Sequence, residues 1–383
     1  MTSVLGIETV AVYAPMKPLD DPVPSGDRQV GRLIVQALER GGRAVVQPSR
    51  FRSWCRDGGI ERQQDLERAA LAEADRLVEA FQSGTAPCPD AWLTYHLYHK
   101  APDWVGPAVA DALDIPFAVI EASRAMKRKS GPWQHGFAAA DAALVRADAV
   151  AAMHAADAEG LEPIVPAGAL RILPPFIDAS PFAQPKQPRP AGAPVRLLTV
   201  AMMREGDKMR SHRLLAEALA QVADLDWHLT LVGDGSMRDA VLALFPASRI
   251  TWLGRLAPED MPRPYAQADL FVWPAIREAF GLVFLEAQAA GLPVIAGSTG
   301  GVPDIMRDGE TGWLVPVEDT DAFARALRQA INGADTLEAM GQAARAHVRD
   351  RHDIAAAVPQ LDAFLQSAAA RHAARRNQRI PRT

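Results

Sequence analysis

The chain has 383 residues, of which 49% are apolar and 23% charged, the balance of a soluble globular protein long enough for two domains with separate cores. A formal net charge of −5 gives no footing to a nucleic-acid binder. Cys55 and Cys88 allow at most one disulfide and have no zinc spacing, so a reducing, cytoplasmic setting is expected.

The opening MTSVLGIETVAVYAP lacks the basic start and long apolar centre of a signal peptide. No 18-residue uncharged apolar span occurs, so no membrane crossing is expected. IETVAVYAP reads as a first strand, and DRQVGRLIVQALERGG as a helix ended by glycine, with Ser25 or Asp27 as its N-cap. RAVVQP reads as a second strand. AWLTYH, PFAVIEA and AALVRA continue the theme of short apolar runs set between alanine-rich amphipathic stretches. This alternation predicts parallel α/β units.

PPFIDASPFAQPKQPRPAGAP, between Leu173 and Pro194, has no period and reads as a linker. The rhythm then restarts with VRLLTVAM, a helix in SHRLLAEALAQVA, and strands at WHLTLV, RITWLG, DLFVWP and LPVIAG. Residues 336–367 read as helical, and RHAARRNQRIPRT as a frayed basic tail. The expected division is a first Rossmann-like domain at 1–180, a linker at 181–194, a second at 195–350, and a C-terminal helix and tail at 351–383 packing back on the first. Two doubly wound halves of this kind, facing a central cleft, hold ligands at the carboxyl ends of their strands.

In REAFGLVFLEAQAAGLPVIA, Glu278 falls in the loop after a strand and Glu286 inside the following helix, which is expected from Leu282 to Ala290. Gly281 lets the chain come close to a ligand, and the N–H groups of Ala279, Phe280, Gly281 and Leu282 form the positive end of that helix. Carboxylates repel phosphate but suit hydroxyl pairs, so one glutamate could hold a sugar and the other a ribose, with a pyrophosphate on the helix end. A helix-start glutamate and a solvated one remain the plain alternative. Only 6 of the 41 basic residues are lysines, and Lys208 is the one lysine between 195 and 350, in the turn TVAMMREGDKMRSH. GDG at 233–235 reads as a tight turn, because a full G-x-G-x-x-G is absent. DLD at 224–226 reads as a solvated turn.

The run E-A-F-G-L-V-F-L-E, then AAGLPVIA and GGVPDIMRDGETGWLVP, resembles the donor site of family 4 glycosyltransferases, retaining enzymes of the GT-B fold. LVGDGSMRD, ITWLGRL and ADLFVWP stand in the matching order. The resemblance implies that Glu278 touches the transferred sugar, Glu286 holds the ribose hydroxyls, and Lys208 meets the pyrophosphate. The arginine that usually accompanies this lysine falls at Met202, with Arg204 as the nearby substitute. Arg255 falls in the base-contacting loop. Gly26 matches the glycine of a loop that approaches donor phosphate and acceptor, and His96, then His99, matches a functional histidine. The catalytic set implied is His96, Lys208 and Glu278, with same-face attack on a UDP- or GDP-sugar, no cofactor and no metal.

The acceptor, a glycan, lipid or small molecule, is expected against Tyr95, His99, Lys100, Arg124 and Lys127. The basic run Arg124, Lys127, Arg128 and Lys129 reads either as a solvated loop or as contact with an acidic acceptor or the inner membrane face. A GT-B epimerase or phosphorylase, and a non-catalytic scaffold, are the competing readings. No nucleic-acid partner is expected.

Overall fold

A computed structural model describes residues 6–22, 25–333 and 336–379. Pro24, next to the expected helix cap, and the last four residues of the tail lie outside them. The chain forms two compact units, one of residues 1–174 with 357–383, the other of residues 175–356.

The first unit contains, in order, β1 (Thr9–Tyr13), α1 (Gly26–Arg40), β2 (Ala44–Val46), α2 (Ile60–Gln82), β3 (Ala91–Leu97), α3 (Val105–Leu113), β4 (Phe117–Ala122), α4 (Gln134–Arg146), β5 (Ala149–Ala152), α5 (Ala155–Leu161) and β6 (Leu170–Ile172). Its six strands are all parallel, in the order β2-β1-β3-β4-β5-β6. The central strands are buried on both faces, as continuous apolar runs such as TVAVY and FAVIEA require. Val30, Leu33, Ile34, Ala37 and Leu38 supply the buried stripe of α1. Ser25 is its cap, accepting from the Arg28 N–H at 3.3 Å.

AALVRA is helical, not a strand. Phe137, Ala140, Ala143 and Leu144 recur at helical spacing on the buried side of α4. The strand follows it, as β5, in the short run AVAA.

The second unit contains β7 (Val195–Val200), α6 (Asp207–Ala220), β8 (Trp227–Val232), α7 (Arg238–Leu242), β9 (Ile250–Trp252), α8 (Pro262–Gln267), β10 (Leu270–Trp273), α9 (Leu282–Ala289), β11 (Val294–Gly297), β12 (Gly312–Val315), α10 (Thr320–Asn332) and α11 (Leu337–Arg351). Its sheet is also six-stranded and parallel, ordered β12-β11-β10-β7-β8-β9. The proline-rich stretch is no free spacer. Gln187 N–H donates to Ala266 O at 2.9 Å, and Asp269 gathers Lys186, Arg189 and Arg196.

The last helix, α12 (Ile354–Arg379), runs on into the segment read as a frayed tail. From Ala357 it belongs to the first unit. Asp148, buried at the start of β5, holds it there: it lies 3.3 Å from Arg375 and 3.7 Å from His372, beside Arg146 at 3.2 Å. Arg371 donates to Ala167 O at 2.7 Å. The basic residues of this tail therefore serve the fold, because a buried carboxylate needs several donors. No helix among the described residues is long and apolar enough to cross a membrane.

Asp148→Ala takes one carboxylate partner from each of Arg146 and Arg375 and removes the acceptor of the Phe117 N–H. It is expected to destabilise the protein by about 3–5 kcal/mol in denaturant unfolding. A loss below about 1 kcal/mol would show that the clasp is incidental.

Candidate functional site

In a doubly wound sheet the crevice opens where the strand order reverses direction. In the second unit that point lies between β7 and β10, the first strand of the unit and its neighbour on the other flank. Lys208, in the first turn of α6 after β7, and Glu278, in the loop after β10, meet there. Lys208 Nζ donates to Glu278 Oε2 at 2.5 Å and lies 5.5 Å from the centre of the Trp273 ring at the end of β10.

The supporting residues fix both loops. Ser211 Oγ donates to Asp207 O and accepts from the Ile276 N–H at 3.1 Å, so the first turns of α6 hold the loop that carries Glu278. Ala275 and Arg277 take positive φ values of 57° and 53° without being glycine. Strain of this kind persists only where surrounding contacts impose it. Gly281, at φ 67°, caps α9, and a Cβ there would meet Phe284 at 2.8 Å. Its absence of a side chain is thus demanded by the protein's own packing. The N–H groups of residues 279–282 donate to no acceptor among the described residues, which leaves a helix start able to receive an anion.

Glu286 lies one turn into α9, where Tyr265 Oη donates to its Oε2 at 2.6 Å. Burial raises its carboxyl above the ordinary carboxylate range, and the tyrosine hydroxyl opposes that rise. Oε1 has no hydrogen bond among the described residues. Tyr265, from the short α8, had no signal in the sequence, since a buried tyrosine in PRPYAQ looks like ordinary core.

The other residues predicted for this site are less engaged. Arg204 and Arg255 are exposed and form no ion pair among the described residues, and Met202 is 44% exposed. GDG is a backbone turn: a Cβ on Gly233 would come 1.9 Å from Ala201 O, and one on Gly235 2.2 Å from Met203 O. Asp224 precedes β8, at the opposite edge of the sheet, and pairs with Arg328 at 2.7 Å.

In the first unit, several predicted acceptor residues are committed to the fold. Tyr95 is buried, and its hydroxyl donates to Asp27 O at 2.9 Å. Arg124 is tied through two hydrogen bonds of 2.8 Å to Asp141 and lies over Phe137, so it is not free for an acidic acceptor. Lys100 lies 5.0 Å over the Trp133 ring. His99 packs edge-on against Trp133, its pKa lowered to about 4 by burial and then by Arg128, Lys100 and Lys127. It is a neutral imidazole in a basic setting. Lys127 is exposed on the short turn Met126–Arg128, beside exposed Met126. Gly26 opens α1 with free space around it.

His96 ends β3 and, unexpectedly, meets two carboxylates, Asp27 and Glu121. These three come from segments far apart in the chain, so no local spacing groups them. Among the described residues they are the one group of His, Cys, Asp and Glu side chains placed to hold a metal ion. The only local hint was Glu121 itself, a charged residue closing the apolar run PFAVIEA.

Residues 194–333 match the family described as Glycosyl transferases group 1. The chain is similar to the sulfoquinovosyl transferase SQD2 of Arabidopsis thaliana, 31% identical over 173 residues, 44% of this chain and 33% of the relative. It is also similar to the D-inositol 3-phosphate glycosyltransferase of Corynebacterium diphtheriae, 36% identical over 165 residues, 41% of this chain and 38% of the relative. The matched stretches thus span little more than a third of these relatives. Over nearly the whole chain the fold is that of solved GT-B structures. Sucrose-phosphate synthase from Thermosynechococcus elongatus aligns over 95% of this chain and 99% of its own, with a TM-score of 0.72 at 20% identity. HepE of Anabaena, solved in complex with UDP, aligns over 94% and 100%, with a TM-score of 0.70 at 17% identity.

His212 lies under this site, its ring 4.8 Å from Trp273. Burial, with the Lys208 charge behind it, lowers its pKa from 6.5 to about 4. A folded-state pKa below the unfolded value means that the unfolded chain takes up the proton first as pH falls. Stability is then intact above about 6.5 and drains away toward 4. Between pH 7 and 5 His212 should account for about 2 kcal/mol of that loss. Urea unfolding of His212→Leu should show a shallower fall with acid than the parent. Parallel falls would contradict the assignment.

Proposed function

We propose that the protein is a retaining glycosyltransferase that moves a sugar from a UDP- or GDP-sugar to an acceptor hydroxyl on a glycan, lipid or small molecule. The observation that carries this reading is the meeting of Lys208 and Glu278 at the switch point of the second sheet, beside the open helix start of α9. The match of residues 194–333 to group 1 glycosyltransferases supports it, and so does the fold shared with a protein solved with UDP. The two cysteines are both free, as suits a reducing cytoplasm.

In this reading the pyrophosphate lies on the N–H groups of residues 279–282, with Lys208 as its counter-charge and Arg204 and Arg255 free to add to it. No metal is required at the donor. Glu278, relieved of part of its pairing with Lys208, accepts from hydroxyls of the transferred sugar. Glu286 accepts from the ribose through Oε1, while Tyr265 fixes its other oxygen. As the glycosidic bond breaks, charge grows on the leaving phosphate. Lys208 and the helix start stabilise that charge more in the transition state than in the ground state, which is where binding accelerates a reaction. The phosphate oxygen can then take the proton of an acceptor attacking from the same face.

Thermal unfolding with UDP, GDP and ADP, with and without EDTA, tests the donor class. A ligand at about 100 times its dissociation constant adds about 2.7 kcal/mol of stability. One nucleotide series should give this shift, EDTA should not remove it, and Glu286→Ala should. Lys208→Ala should lower turnover at least about a hundredfold while leaving the unfolding midpoint nearly unchanged. A parental turnover rate in that variant would refute the role given to the lysine.

A further inference from the structure

The first sheet has a switch point of its own, between β1 and β3. Three side chains converge beside it. Asp27 stands in the first turn of α1, His96 at the end of β3, and Glu121 at the end of β4. His96 Nδ1 lies 3.7 Å from Asp27 Oδ1 and 3.6 Å from Glu121 Oε1, and the three ligand atoms all fall within 4.8 Å of one another.

These separations are too long for hydrogen bonds. Two other histidine–carboxylate pairs close to 2.8 Å, His135 with Glu67 and His154 with Asp157, whereas His372, at 3.3 Å from Asp114 and 3.7 Å from Asp148, is served by Arg375 as well. A single Nδ1–H cannot serve two carboxylates equally. Two donors on one tetrahedral ion, each about 2.0–2.1 Å from it, stand about 3.3–3.4 Å apart, near the 3.7 and 3.6 Å that separate His96 Nδ1 from the two carboxylates.

Polar satisfaction points the same way. His96 Nδ1 and Glu121 Oε2 are shielded from solvent and make no well-formed hydrogen bond among the described residues, although the Tyr95 hydroxyl lies close enough to Glu121 to favour its charged form. Buried polar atoms are rarely left so. Both residues also take left-handed backbone, His96 at φ 61° and Glu121 at φ 59°, on neighbouring strand ends. The Tyr95 hydroxyl fastens the first turn of α1 through Asp27 O, holding the third member in place. The Asp27 side chain is 45% exposed, so the cluster is open on that side.

We propose that Asp27, His96 and Glu121 bind one divalent transition cation of the Zn²⁺ or Mn²⁺ kind. One imidazole nitrogen and two carboxylate oxygens form a borderline-to-hard donor set, suited to these ions rather than to Cu⁺. Three protein ligands leave coordination positions for water or for a substrate oxygen on the Asp27 side. The ion would tie the first turn of α1 to the ends of β3 and β4. The site lies wholly within the first unit and does not depend on the donor reading above.

The test uses the full chain, stripped with a chelator and titrated with Co²⁺ followed by visible absorption, then by Zn²⁺ and Mn²⁺ in calorimetric competition. One equivalent per chain should bind, and each of His96→Gln, Glu121→Gln and Asp27→Asn should weaken it by at least about tenfold. His154→Gln, outside the cluster, should bind as the parent does. Circular dichroism and thermal unfolding establish that each variant is folded, and Asp27→Asn, on an exposed helix turn, carries the test if a strand-end variant is not. No saturable binding up to millimolar metal, or binding that survives the cluster substitutions in folded protein, would overturn the proposal.

Discussion

The ammonium of Lys208 is held between the Glu278 carboxylate and the face of Trp273, at the one place in the second sheet where neighbouring strands send their helices to opposite sides. The remaining features of the site follow from that position. Parallel strands deliver every strand-to-helix turn to the same edge, so the loops after β7, β8, β9, β10 and β11 all arrive together. They are zipped to one another by backbone bonds, Gly233 N–H to Gly254 O at 2.8 Å and Met203 N–H to Asp234 O at 3.0 Å. The glycines of these turns answer to that crowding. The edge becomes a rigid platform on which one cation, one helix start and two carboxylates can be fixed in advance.

The two glutamates are chemically unlike, which their symmetric spacing conceals. Glu278 is paired with a cation. Glu286 is paired with a neutral hydroxyl and shifted by burial toward protonation. In the proposed reading a bound anion would compete with Glu278 for Lys208, so ligand binding and release of the carboxylate would be coupled at that residue. Glu286 undergoes no such exchange. It suits a group that positions a ligand, whereas Glu278 suits a group whose environment changes as charge moves.

The sequence showed the architecture well because parallel sheets demand continuous apolar runs, and helices that cover them demand a 3.6-residue stripe. AALVRA misled because a short alanine-rich run satisfies both patterns, and the buried stripe of α4 becomes visible only from Phe137 onward. The basic tail misled because arginines on a last helix look solvated until a buried acceptor such as Asp148 is known. In the candidate site, the placement of Glu278, Gly281, Glu286 and Lys208 on their loops and helices was legible because they stand within short segments with turn and helix signals. Tyr265 and the cluster of Asp27, His96 and Glu121 were not, because each depends on strands and helices far apart in the chain. Tyr95 and Arg124 looked available at strand ends, yet the fold uses both internally.

Hydrogen–deuterium exchange of the full chain, with and without saturating UDP- or GDP-sugar, tests most directly whether the second switch point is the donor site. Residues 199–211 and 275–286 should gain protection together, because the lysine turn and the glutamate loop would close on one ligand. A sugar nucleotide that binds while leaving both segments exchanging at their free rates would contradict the account.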